Sequence, residues 1–252
     1  MAKNLAEDEL SYTLDKNYYY QPTHVFSTPA GWACPHADSC LTKADRETGR
    51  LVKRPDKNPD GTIPLHVSDA EPYVCYAARS ERYPGVRNAR WRNFEAAKKR
   101  LAKGKTFNVP DKATHVRVHG SGDFFNEKYF LNWMETARQH PDVLFWAFTK
   151  SFPYWVKHID AVPENFSLTA SVGSKRDELI EEYGLKTATV FYDINDVPED
   201  MAIDYDDREA QDAKAPSFAL LENLSNRNQA EDHKIQEHNR RAYELQGRTW
   251  AA

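Results

Sequence analysis

Apolar and polar positions follow two rhythms along this chain. The clearer one begins at residue 113. Ala113-Thr-His-Val-Arg-Val-His119 alternates and is rich in β-branched residues, so it predicts a strand. Gly120-Ser121-Gly122-Asp123 follows as a predicted turn. Residues 126–139 then place Phe130, Trp133, Met134 and Ala137 at helical spacing. The alternation repeats with a strand at 143–148, a short helix at 154–159, a strand at 167–172, a helix at 176–183 and a strand at 187–192. Strands alternating with helices predict an α/β fold. The expectation is a partial or distorted (β/α) barrel with mostly parallel strands.

Upstream, residues 24–30 read as a short strand running into the loop Gly31-Trp32-Ala33. Residues 76–104 read as helix, through Trp91, Phe94, Ala97 and Leu101, and Tyr83-Pro84-Gly85 splits it in two. Residues 41–66 show no periodicity and predict a surface insertion with turns at Pro55 and Asp60-Gly61. The domain expectation is an N-terminal arm over 1–23, one α/β domain over 24–215, and a helical or flexible tail over 216–252.

Composition adds limits. At 252 residues and 40% hydrophobic content the chain can bury a sizeable core. A net charge of −4 gives no overall attraction to nucleic acid or membrane. No run of 18 apolar residues exists, which predicts no membrane span. The N-terminus lacks the apolar segment of a signal peptide, so the expected location is the cytoplasm. One local bias is hidden by the total. Between Tyr76 and Lys105 ten Lys or Arg stand against two Glu, with Tyr83 and Trp91 among them. A basic, aromatic stretch from Arg79 to Lys105 suits nucleic acid, and equally a charged outer helix face.

Three cysteines, an odd number, make no complete disulfide framework. Cys34 and Cys40 bracket five residues, and 34 residues separate Cys40 from Cys75. Cys34 and Cys40 sit in a polar loop, Cys-Pro-His-Ala-Asp-Ser-Cys. Three thiolates without a fourth partner suit a [4Fe–4S] cluster with one open iron. His36 as a fourth ligand would make a Cys3His zinc site, and three unrelated buried thiols are the bland alternative. In a parallel sheet functional groups collect at strand C-termini. There the sequence offers Cys34, His119, Gly120, Ser121, Gly122, Asp123, Thr149, Lys150, Ser171 and Asp193. Asp123 suits a ligand amino group or the cap of the next helix. Lys150 suits a carboxylate or phosphate, or plain solvent. His115 reads as a packed histidine.

Four motifs in order, Trp32-Ala-Cys34-x5-Cys40, Val74-Cys75-Tyr76-Ala77, Gly120-Ser-Gly-Asp-Phe-Phe125 and Phe148-Thr-Lys150, resemble the phage-encoded gene product 88 family over about residues 25–195. The order also resembles radical S-adenosylmethionine-like iron–sulfur proteins. That resemblance implies Cys34, Cys40 and Cys75 as ligands of a [4Fe–4S] cluster. It implies S-adenosylmethionine as second cofactor, with Gly120 to Asp123 as its amino-binding turn and Lys150 beside it. It further implies an electron donor as partner and, for a phage product, the host cytoplasm as location. Those enzymes space their cysteines as C-x3-C-x2-C, and this chain departs from that by its long insertion. Three functions follow as expectations: a radical enzyme on an unknown substrate such as a nucleotide or nucleic acid; a non-redox cluster whose open iron acts as Lewis acid or sulfur carrier; or a nucleic-acid or protein-binding module with a structural metal.

Overall fold

A computed structural model describes residues 5–19, 21–40, 42–52, 74–221 and 229–250. The expected turns at Pro55 and Asp60-Gly61 lie outside the described residues. Seven strands form one sheet in the order β1 (Thr13–Asp15), β2 (Thr23–Ser27), β5 (His115–Ser121), β6 (Leu144–Thr149), β7 (Phe166–Ser171), β8 (Thr187–Phe191) and β9 (Phe218–Leu221). A hairpin of β3 (Lys43–Ala44) and β4 (Leu51–Val52) stands apart. β1 is antiparallel to β2, and every later pair in the sheet is parallel. The strands follow chain order, as in a barrel, yet the two edge strands β1 and β9 do not pair, so the barrel stays open.

The helices are α1 (Tyr76–Ser80), α2 (Pro84–Ala102), α3 (Glu127–Arg138), α4 (Phe152–Lys157), α5 (Glu178–Tyr183), α6 (Arg208–Gln211) and α7 (Gln229–Leu245). The break expected at Tyr83-Pro84 separates α1 from α2, with Pro84 at the first turn, where its missing N–H costs nothing. Asn126 caps α3, its side chain accepting from Tyr129 N at 2.8 Å. The two-residue period of the strands decides the layers. Val116, Val118, Phe145, Ala147, Phe166 and Leu168 face the main core, which includes Phe130, Trp133 and Met134 of α3 and Ala97 of α2. Trp146 and Phe148, on alternate positions, face the other side, with Ala188, Phe218 and Tyr18. Arg117 joins them there, its guanidinium over the rings of Tyr18 and Phe148.

Three expectations change. Gly120 and Ser121 belong to β5 and not to a turn. The register between β2 and β5 slips after Phe26, and Ser27 pairs with Ser121 across a bulge at His119, whose φ is 69°. Residues 218–221 are a strand and not the start of a helical or flexible tail, because Phe218 and Ala219 find apolar partners on both faces of the sheet. The rest of that segment docks as well. Ile235 of α7 packs on Val197, Ile203 and Ala219, and the Asn239 amide bonds both backbone groups of Ile203. At the other end, residues 13–15 of the expected arm form the antiparallel edge strand.

Candidate metal centre

The loop after β2 carries Cys34 and Cys40 across the C-terminal ends of the sheet. It leaves β2 with Thr28 N donating to Ser121 O at 2.9 Å. It lands on the turn after β7, where Asp38 N and Ser39 N both donate to Gly173 O at 3.0 and 3.1 Å. Ala37 pairs with Ser174 as an isolated bridge. Because β5 and β6 lie between β2 and β7, this short loop spans both of their ends. Gly173 makes the landing possible. Its φ is 94°, and a β-carbon there would lie 1.9 Å from Ser39 Oγ. Cys75 arrives from elsewhere in the chain, just before α1, with its N–H 3.4 Å from Thr42 Oγ1.

All three cysteines are free and partly buried. Burial pushes the Cys34 thiol well above its ordinary pKa, and Asp123, Cys40 and Cys75 push the same way. Burial, then Cys40, raises Cys75. The charges of Asp123, Cys40 and Cys75 thus bear on Cys34, and that of Cys40 on Cys75. Among the described residues, no three His, Cys, Asp or Glu side chains are gathered around a single point as one metal ion requires. A cluster asks for less convergence, since each thiolate binds a different iron. A metal charge would also supply what the buried thiols lack, because coordination deprotonates a thiol. Three thiols are the donor type by which iron–sulfur clusters are held.

Asp123 and Lys150 bind the chain itself. One Asp123 oxygen accepts from Phe124 N at 2.7 Å and from the Thr149 hydroxyl at 2.6 Å, and the other accepts from Lys150 N at 2.8 Å. This ties the end of β5 to the end of β6. Burial still raises the Asp123 pKa to about 6, against those bonds. The Lys150 ammonium donates to Ser171 O, Ser171 Oγ and Val172 O, which takes all three of its protons. Gly122, with φ 84°, lets Thr28 approach so closely that a β-carbon would meet Thr28 Oγ1 at 1.9 Å. In this arrangement the residues from Gly120 to Asp123 pack against the end of β2, and Asp123 does not cap α3. The free polar atoms at the end of β5 are Ser121 Oγ and His119 Nδ1, both buried and unpartnered.

The histidines divide differently from the sequence expectation. His119 turns toward the helix-side core. Its Nε2 is 3.0 Å from the Tyr129 hydroxyl, its ring packs on Phe124, and burial lowers its pKa to about 3. His36 stands edge-on to Tyr154, and burial, Lys175 and Arg176 lower its pKa. His115 is half-buried, with Nδ1 2.8 Å from the Thr114 hydroxyl.

The basic stretch of α1 and α2 is largely bonded inside the protein. Arg87 is buried and donates to the carbonyls of Arg46, Glu47 and Glu81. Arg90 donates to Ala77 O and to the Glu81 carboxylate. Arg92 reaches Glu9 O, Lys99 pairs with Glu7, and Lys103 and Lys105 pair with Asp8. Glu7 and Asp8 of the N-terminal segment therefore answer three of these ten charges. Sequence reading missed Glu81 because a fully buried carboxylate has no periodic signature. It missed the Arg117–Asp207 ion pair (3.0 Å) on the inner face of the sheet for the same reason, although the alternation of β5 places Arg117 opposite Val116 and Val118.

Two clefts have no cysteine in their lining. One of about 480 Å³ is lined by Arg46, Glu47, Asn88, Trp91, Arg92 and Glu95. The other, about 470 Å³, lies among Trp155, Leu168, Leu185 and Pro216. Among the described residues no helix is long and apolar enough to cross a membrane. No curated protein and no solved structure matches this chain. A family model does match, over residues 2–243, and takes in the cysteine loop, the sheet and α7 together. The chain belongs to the Gene product 88 family.

Proposed function

We propose that this protein is an iron–sulfur enzyme of the radical S-adenosylmethionine-like kind, with Cys34, Cys40 and Cys75 holding a [4Fe–4S] cluster at the C-terminal mouth of the sheet. One observation carries the reading. The loop of Cys34 and Cys40 lies across the C-terminal ends of the parallel strands, where such sheets keep their functional groups, and the charges of Cys40 and Cys75 bear on the Cys34 thiol. When bound, such a cluster supplies an electron from a donor protein for cleavage of S-adenosylmethionine.

The chain's own residues do the positioning. Gly173 and Ser174 fix the Cys34–Cys40 loop, and Glu81 and Arg90 fix the segments before Cys34 and after Cys75. Asp123 and Lys150 lock the ends of β5, β6 and β7 together, so no direct contact with S-adenosylmethionine is assigned to them. Ser121 Oγ and His119 Nδ1 retain hydrogen-bonding capacity.

The test is anaerobic isolation with iron and sulfide counted per chain. About four of each are expected, with a reduced-state paramagnetic resonance signal that changes on adding S-adenosylmethionine. A cluster indifferent to that compound moves the assignment to non-redox Lewis-acid or sulfur-carrier chemistry. One zinc and no iron overturns the reading. Cys75→Ala is expected to abolish cluster loading despite its distance in sequence; a variant retaining full iron would refute the three-thiolate site.

A further inference from the structure

The 480 Å³ cleft beside α2 is a built feature that the cysteine mouth does not use. Its outer wall is the turn of the β3–β4 hairpin. Arg87 sets that turn in place by donating to the carbonyls of Arg46 and Glu47, each at 2.9 Å. Its inner wall is α2, with Trp91 at the centre. Arg46 lies over the Trp91 ring at 4.4 Å. Trp32 stands beside it at 5.7 Å, and Lys43 lies over Trp32 at 4.7 Å. Trp32 is 46% exposed, an unusual position for so large an apolar ring.

The cleft is lined by the cations Arg46 and Arg92 and the carboxylates Glu47 and Glu95, beside Asn88 and Trp91. Trp91 Nε1 and Arg92 Nη1 are buried behind this wall and have no hydrogen-bond partner among the described residues. Lys43 is not in the lining and lies beside it, over the ring of Trp32. Of the two carboxylates, Glu95 is already shared by Arg46 at 3.8 Å and Lys98 at 3.5 Å, which leaves Glu47. A ligand that suits this wall brings a flat ring to stack and an anion to accept.

We propose that the Trp32–Trp91–Arg46 cleft binds a nucleotide unit, its base stacked on the exposed tryptophan and its phosphate taken by Arg46 and Lys43. The other basic residues of α2 are bonded within the protein, so this cleft, and not the helix as a whole, is the contact. Trp32 lies two residues before Cys34 in the same loop, so a strand held here is led toward the cysteine mouth. The inference does not depend on any metal at that mouth.

The test is fluorescence anisotropy of a labelled twelve-residue oligothymidylate with the full-length protein at low salt, alongside tryptophan quenching by thymidine monophosphate. The oligonucleotide is expected to bind, with affinity falling as salt rises. Trp32→Ala and Arg46→Ala are each expected to weaken binding about tenfold, the scale of one stacked base. Lys157→Ala, a charge-matched control on α4, is expected to change nothing. Quenching by the mononucleotide that Trp32→Ala removes assigns the cleft to free nucleotides; binding of the oligonucleotide alone assigns it to a strand. No binding of either, or binding that ignores both variants while their melting temperatures hold, overturns the proposal. Iron is counted on the same samples, so loss of a cluster and loss of nucleotide binding are read separately.

Discussion

Arg90 donates to the fully buried carboxylate of Glu81 at 3.0 Å, and the pair joins the two chain segments that carry Cys34 and Cys75. The same Glu81 oxygen accepts from Ala30 N at 2.8 Å, four residues before Cys34. Arg90 also donates to Ala77 O at 2.7 Å, two residues after Cys75. Burial raises the Glu81 pKa although Arg87 and Arg90 oppose it. Removing only the cation would leave a buried charge alone. Arg90→Met is therefore expected to cost roughly 3 kcal/mol in urea unfolding, and Glu81→Gln less. Thiol-reagent kinetics on metal-free protein are expected to show Cys34 and Cys75 reacting faster in Arg90→Met. Unchanged kinetics would mean that the pair does not hold the thiols.

Gly173 carries the landing of the cysteine loop. Alanine there meets both an unfavourable φ of 94° and Ser39, whereas alanine at Gly184, with φ 59° and no atom within 4 Å, meets only the backbone term. Gly173→Ala is expected to destabilise by about 3 kcal/mol and Gly184→Ala by about 1 kcal/mol. Thermal unfolding of the two variants checks the order.

On the inner face, Asp207 holds Arg117 at 3.0 Å and accepts from Trp146 Nε1 at 3.0 Å, with both charged side chains mostly buried. Asp207 has φ 62°, a conformation that Asn also tolerates. Asp207→Asn thus removes charge without new backbone strain and is expected to cost roughly 1.5–3 kcal/mol. Arg117→Met strands the carboxylate and is expected to cost roughly 3–5 kcal/mol. Denaturant midpoints at neutral pH measure both.

His119 makes the protein sensitive to acid. Its folded pKa is about 3 and its ordinary value is 6.5, so between these the unfolded chain binds the extra proton. Stability is full above about pH 6.5 and falls as pH drops toward 3, by on the order of 4 kcal/mol from this group at pH 3.5. His119→Asn, which accepts the positive φ, is expected to flatten that part of the pH profile in melting experiments. A profile as steep as the parent's would assign the acid sensitivity elsewhere.

The order of strands and helices was legible because each element repeats its own period: β-branched alternation at 115–118, helical spacing at Phe130, Trp133 and Met134. A shared centre for Cys34, Cys40 and Cys75 was expected from residue type and loop position; the sheet order explains only why the Cys34–Cys40 loop lies across the strand ends. What the chain could not disclose locally concerns partners far apart in sequence. Gly120 and Gly122 read as a ligand-facing turn, yet their missing side chains make room for Val25 of β2 and for Thr28 just after it, more than ninety residues earlier. Lys150 and the α2 arginines read as free charges, yet carbonyls and carboxylates from other elements take their hydrogen bonds. Phe218 to Leu221 read as tail, and only the neighbouring β8 makes them a strand. Periodicity is set by neighbours three or four residues apart, so sequence alone determined the α/β architecture. Charge compensation and close packing are set by contacts across the sheet, so the tertiary structure decided which polar residues remain available.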